Sequence, residues 1–187
     1  FSFFANKIIT TGEGGAVVTD NEDIANNIRM LRDHGQTTKY HHDIIGFNYR
    51  MDGFQGAVLS VKLKYLQKWT NKRNKIAQKY KQRLDGISGL KVPHVSDKVV
   101  SAFHLYVINT ENREQLVQYL KEQGIDTGLH YPVPIHLQKA YRNLGYSSGD
   151  FPIAETNAEQ CMSLPMFPEL SDVQIDHVCK HIHYFYK

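Results

Sequence analysis

A chain of 187 residues with 41% hydrophobic and 22% charged side chains has material for one good core, or for parts of two domains. Its formal charge of +3 is too small to argue for nucleic acid, and no run approaches the roughly 18 apolar residues that cross a bilayer. The two cysteines, Cys161 and Cys179, form neither a CxxC nor a metal-type spacing. They lie in apolar helical patterns and read as reduced core residues of a cytoplasmic protein. No signal peptide is visible, and the sequence begins at Phe1, inside a motif. It is therefore expected to be the C-terminal portion of a longer protein.

In chain order, an aromatic stretch from Phe1 precedes Lys7 and a glycine-rich turn, and residues 13–19 read as a short strand. Asp20 and Asn21 supply capping oxygens, and Ile24, Ile28 and Leu31 recur at i, i+4, i+7, which predicts a helix over 22–32 with one buried stripe. His34-Gly35 ends it. Residues 36–50 have no regular period and read as a long loop. From Met51 two helices are expected nearly end to end, the first with Phe54, Val58, Val61, Tyr65 and Trp69 on one face, the second running to Gly86. Its dense cationic stretch, Lys62 to Arg83, reads as a solvated helix face ahead of a phosphate-binding patch. Residues 103–109 alternate as a strand, 112–123 form an amphipathic helix ended by Gly124, and 125–131 read as another strand. Short helices follow near 135–143, 151–161 and 172–185, the last opened by a capping box of Ser171 and Gln174. The order is that of a small α/β domain packed on a helical spine.

Lys7 has no charged neighbour within five residues on either side. An ammonium buried among apolar groups tends to lose its proton or find a chemical partner, and a neutral amine is what Schiff-base chemistry requires. The turn Gly12-Glu13-Gly14-Gly15 gives the backbone freedom to approach a ligand. It is not the GxGxxG fingerprint, and no GKS or GKT triplet occurs. Asn48 and Arg50 stand at a loop-to-helix junction, where donors can converge on an anion; helix capping plus a surface salt bridge is the plainer reading. His130 and His136, six apart and without an acidic partner in sequence, make a poor metal site, and no metal is expected.

The run Ser2-Phe3-Phe4-Ala5-Asn6-Lys7, four residues, then Gly12-Glu13-Gly14-Gly15-Ala16 closely resembles the cofactor-lysine segment of the DegT-like family of sugar-nucleotide aminotransferases. Three further matches follow in the family's order: Gly46-Phe47-Asn48-Tyr49-Arg50, Gly128-Leu129-His130-Tyr131-Pro132-Val133-Pro134-Ile135-His136, and Ser163-Leu164-Pro165. The resemblance implies an α/β chain, the C-terminal part of a fold-type I pyridoxal 5'-phosphate transferase. Residues 1–69 would be the end of the large cofactor-binding domain, and 70–187 an interdomain helix and a small C-terminal α/β domain. It further implies that Lys7 holds pyridoxal 5'-phosphate and shuttles a proton, that Ser2 bonds its phosphate, and that Asn48 and Arg50 reach the cofactor phosphate of a partner in a homodimer. His34, Tyr40, His130, Tyr131 and His136 would approach the substrate. The implied reaction moves an amino group, with glutamate as donor, to a nucleotide-linked keto sugar, most like a 3-keto sugar on thymidine diphosphate, in amino-sugar and polysaccharide biosynthesis. The same resemblance admits a sugar-dehydrating relative, in which histidine replaces the lysine, and a non-catalytic regulatory or binding protein of the same fold.

Overall fold

The computed structural model describes residues 1–187, which divide into two units, Phe1–Gln67 and Lys68–Lys187.

In the first unit the N-terminal segment folds on itself. Phe3 N–H donates to the Gly14 carbonyl (2.8 Å), Ala16 N–H donates to that of Phe1 (3.0 Å), and one antiparallel bridge joins Ser2 to Gly15. The strand expected over 13–19 is thus reduced to a single bridge. Gly12 and Gly14 take φ of +87° and +140°, which break the extended run before it, and Val17 and Val18 beyond it stay exposed. Helix α1 (Glu22–Arg32) forms as read, with Asn21 Oδ1 accepting from Ile24 N–H at 3.0 Å and acidic and basic residues at its favourable ends. Its apolar stripe is not buried, however: none of its residues is, and Ile24 is 48% exposed.

His34 and Gly35 both take positive φ and stop the helix. A Cβ on Gly35 would stand 1.8 Å from the Ile44 carbonyl oxygen, so only glycine permits that approach. The expected loop 36–50 instead holds a small antiparallel hairpin, β1 (Gln36–Thr38) with β2 (His41–His42). Strands this short show no period, and the turn at Lys39-Tyr40 carries no glycine signal.

Where two helices were expected, one continuous α2 runs from Gly53 to Leu84 over 32 residues. Neither proline nor glycine interrupts residues 57–85, so nothing ends the hydrogen-bond ladder. Asp52 starts it by accepting from Phe54 N–H at 2.8 Å, while Gln55 Oε1 accepts from Asp52 N–H at 3.0 Å.

The second unit is built on a three-stranded antiparallel sheet in the order β3 (Leu90–Lys91), β4 (Tyr106–Thr110), β5 (Cys161–Leu164). On β4, Tyr106, Ile108 and Thr110 are buried while Val107 and Asn109 take the other face. Helix α3 (Arg113–Glu122) buries Leu116 and Leu120 and ends at Gly124, φ +74°. Two 3₁₀ turns (Ile135–Leu137 and Lys139–Leu144), α4 (Pro152–Gln160) and α5 (Asp172–Phe185) follow. The Ser171–Gln174 capping box opens α5 as read. The core joins Ile76, Tyr80 and Leu84 of α2 with Ile108, Leu120, Met162, Ile175 and Ile182.

Three expectations fail in this unit. Residues 125–131 form no strand but a single bridge, Gly128 with Ser163, on the free edge of β5. Only its first residue, Cys161, was expected in a secondary-structure element, at the end of the helix near 151–161; the four strand residues are all buried, so no alternation marks them. Cys161 therefore lies on a strand; both cysteines are free and buried, and burial pushes the Cys179 thiol up to about 12. Arg73, inside the stretch expected to be solvated, is buried and donates to the carbonyls of Phe103 (3.1 Å), His104 (3.2 Å) and Met166 (2.8 Å).

Candidate functional site

Lys7 lies in a bend, half-buried. Its backbone N–H donates to the Phe4 carbonyl at 2.9 Å, while no hydrogen bond or ion pair of the chain engages Nζ. The loop around it is tied down from both sides. The Phe3 carbonyl accepts from the Thr10 hydroxyl (2.9 Å) and from Thr11 N–H (3.3 Å). From α2, Lys62 Nζ donates to the Thr10 carbonyl (2.6 Å) and Gln55 Nε2 to that of Glu13 (2.8 Å). These bonds hold the glycine turn so that the Lys7 amine is left uncommitted. Ser2 is exposed, its hydroxyl accepting from Phe4 N–H at 3.4 Å.

Asn48 and Arg50 are brought onto the end of α1. A bridge joins Asn48 to Asp33, Asn48 Oδ1 accepts from Arg50 Nε at 3.1 Å, and the Arg50 guanidinium lies 3.3 Å from the Asp33 carboxylate. Within this chain Arg50 thus makes the surface ion pair of the plainer reading. His34 joins the same cluster through its backbone, N–H to the Phe47 carbonyl (2.9 Å) and carbonyl to His42 Nδ1 (2.9 Å). Tyr40 stands apart at the hairpin tip, 78% exposed, with Lys39 Nζ 5.0 Å from its ring centre.

In the second unit, His130, Tyr131 and His136 line one cavity of about 900 Å³. The His130–Tyr131 peptide is cis, and His130 Nδ1 lies 2.9 Å from the Ser163 hydroxyl. The wall is mostly aromatic and aliphatic, with Tyr141, Tyr146 and Phe151 opposite Val107 and Asn109 of the sheet's outer face. His136, read as lacking an acidic neighbour, has one: Nε2 is 3.0 Å from Glu155 Oε1, and both side chains are nearly buried. The partner lies 19 residues on, beyond any local spacing rule, and sequence reasoning missed it together with Asn109 and Asn157, while Ser163 was read only as part of a family motif. Gly149 N–H, with Phe151 N–H, the Ser148 hydroxyl and His136 adding to it, holds the Glu155 carboxyl below the usual carboxylate range.

The comparisons with known proteins bear on both units. The chain is 43% identical over 95% of its length to the erythromycin biosynthesis sensory transduction protein EryC1 of Saccharopolyspora erythraea. It is 40% identical over 93% of its length to the dTDP-3-amino-3,4,6-trideoxy-alpha-D-glucose transaminase of Streptomyces venezuelae. These matches cover 49% and 46% of the relatives, so the chain spans about half their length. Among solved structures, S. venezuelae DesV superposes with a TM-score of 0.96 at 38% identity, covering all of this chain and 51% of DesV. The fold class is that of these sugar aminotransferases. With the family model matching residues 1–183, the chain belongs to the DegT/DnrJ/EryC1/StrS aminotransferase family.

Proposed function

We propose that this chain is part of a pyridoxal 5'-phosphate-dependent aminotransferase that moves an amino group from an amino acid, glutamate, to a nucleotide-linked keto sugar. The observation that carries the reading is Lys7: a half-buried amine with no partner in the chain, in a loop whose own hydrogen bonds are made elsewhere. The residues present fit the cofactor. Ser2, Asn48 and Arg50 are a hydroxyl, an amide and a guanidinium, the donor set that phosphate takes. A Cβ on Gly15 would stand 3.2 Å from the Phe1 carbonyl oxygen, so a side chain there would crowd the segment that carries Ser2.

When bound, the cofactor supplies an electron sink for the bond changes at the amino carbon. Lys7 Nζ would hold it, and its free amine would move a proton on and off the reacting carbon. Asn48 and Arg50 serve the partner subunit's cofactor phosphate in a homodimer, Arg50 exchanging Asp33 for the phosphate. His34, Tyr40, His130, Tyr131 and His136 contact the sugar nucleotide. Residues 1–69 belong to the large domain and 70–187 to the interdomain helix and small domain. No helix is long and apolar enough to cross a membrane, and we place the enzyme in the cytoplasm, in amino-sugar or polysaccharide biosynthesis.

Two relatives carry regulatory names, EryC1 and a pleiotropic regulatory protein of Geobacillus stearothermophilus, and so favour a second reading as a binding protein that kept the fold. Lys7, where a dehydrating relative would carry histidine, supports the transaminase. In the full-length protein, adding glutamate should bleach the visible absorbance of the bound cofactor, and a sugar-nucleotide ketone should restore it. Cofactor binding without bleaching would favour the regulator.

A further inference from the structure

Glu155 is the most heavily hydrogen-bonded carboxylate of the second unit. Oε1 accepts from His136 Nε2 (3.0 Å), Gly149 N–H (2.9 Å) and Phe151 N–H (3.2 Å), and Oε2 accepts from the Ser148 hydroxyl (3.0 Å) and again Gly149 N–H (2.9 Å). It thus pins the turn 145–151, which carries Tyr146 and Phe151 into the cavity wall, to the 3₁₀ turn that carries His136. The Phe151 ring packs on the imidazole at 4.8 Å between centres.

A carboxylate held below its usual range is ionised at neutral pH and can only accept. The bond at Nε2 must therefore be donated by the ring. In neutral His136 the proton then sits on Nε2, and Nδ1 carries a lone pair that no group of the chain engages. The wall contains no Lys, Arg, Asp or Glu side chain, so it offers a phosphate no permanent positive charge and suits an uncharged part of a ligand that carries hydroxyl or N–H donors.

We propose that Glu155 is a positioning residue: it fixes His136 as the Nε2–H tautomer, so that Nδ1 accepts a hydrogen bond from the uncharged, hydroxyl-bearing end of the sugar nucleotide. The ligand part of this inference rests on the substrate reading above; the tautomer part does not.

The test uses the full-length protein. Nitrogen-15 shifts of the His136 ring should report an unprotonated Nδ1 and a protonated Nε2, and Glu155→Gln should move them toward a mixture. His136→Gln keeps an N–H donor for Glu155 but has no acceptor at the Nδ1 position. It should keep the wild-type Tm while binding dTDP-3-amino-3,4,6-trideoxy-α-D-glucose about tenfold more weakly by calorimetry, the effect of one lost hydrogen bond. Glu155→Gln should weaken the same probe at a temperature where it is fully folded. An Nδ1–H tautomer in the wild type, ring shifts unmoved by Glu155→Gln, or a folded His136→Gln protein with wild-type affinity would each overturn the proposal. If Glu155→Gln lowers Tm but leaves the probe's affinity intact, the carboxylate is only a structural clamp, which also overturns it. Should the wild type not bind the probe, that defeats the substrate reading for this sugar, and the nitrogen shifts decide the positioning role alone.

Discussion

In residues 68–187, Tyr80, Leu84, Ile108, Leu116, Leu120, Met162, Ile175 and Ile182 are shut off from water, whereas in residues 1–67 only Ile9 and Leu59 are buried apolar side chains. Phe54 (76%), Val18 (74%) and Ile45 (91%) of the first unit stay open to solvent. A fully buried Leu, Ile or Phe contributes about 1.5–3 kcal/mol, so the second unit carries its stability in its own core. The first is shaped mainly by hydrogen bonds: the caps at Asn21 and Asp52, the Phe3 carbonyl, and the reach of Lys62 and Gln55 from α2. Its open apolar surface is of the kind that marks association. The unit with the weaker core thus holds Lys7, so the stability of the second unit and the chemistry proposed for Lys7 belong to different stretches of the chain.

That separation can be broken most sharply at Lys7. In the full-length enzyme Lys7→Ala should lower turnover by more than about 10³-fold, since anchor and proton shuttle go together, with Tm unchanged. Near wild-type turnover would end the assignment. The second unit should show the converse. Leu120→Ala should cost about 2–5 kcal/mol of unfolding free energy by urea titration, while Leu63→Ala, 54% exposed, should stay within about 0.5 kcal/mol in the 187-residue chain. Equal losses would erase the contrast between the units.

Asn48→Ala should weaken cofactor retention by about 1.5–3 kcal/mol, one charge-assisted hydrogen bond, measured by dialysis and absorbance. Mixed with Lys7→Ala subunits it should recover activity, because one site of the mixed dimer would carry both lesions and the other none. Failure to recover would show that Asn48 acts within its own subunit. The smallest effect concerns acid. The Glu155 carboxyl titrates below its ordinary value of 4.5, so its stabilisation is fully present above that pH and is lost as the pH falls through the lower folded value. Thermal melts in that window should therefore be steeper in pH for the wild type than for Glu155→Gln; parallel curves would refute the assignment.

Elements governed by neighbours in sequence were legible without a structure. The α1 cap at Asn21, the stop at His34-Gly35, the Ser171–Gln174 box and the end of α3 at Gly124 depend on contacts a few residues apart, which residue order encodes directly. The order Lys7, Asn48–Arg50, His130–Tyr131 was legible as a family pattern because the resemblance is carried by residue order itself. Only the tertiary structure decided which periodic faces find a partner. It left the Ile24–Leu31 stripe open, and it buried Arg73 under three carbonyls from residues 30 to 93 positions away. It turned Cys161–Leu164 into a strand, and it set Glu155 against His136. Each of these follows from a long-range pairing whose free energy depends on desolvation and geometry, and neither quantity is a property of a local window of sequence.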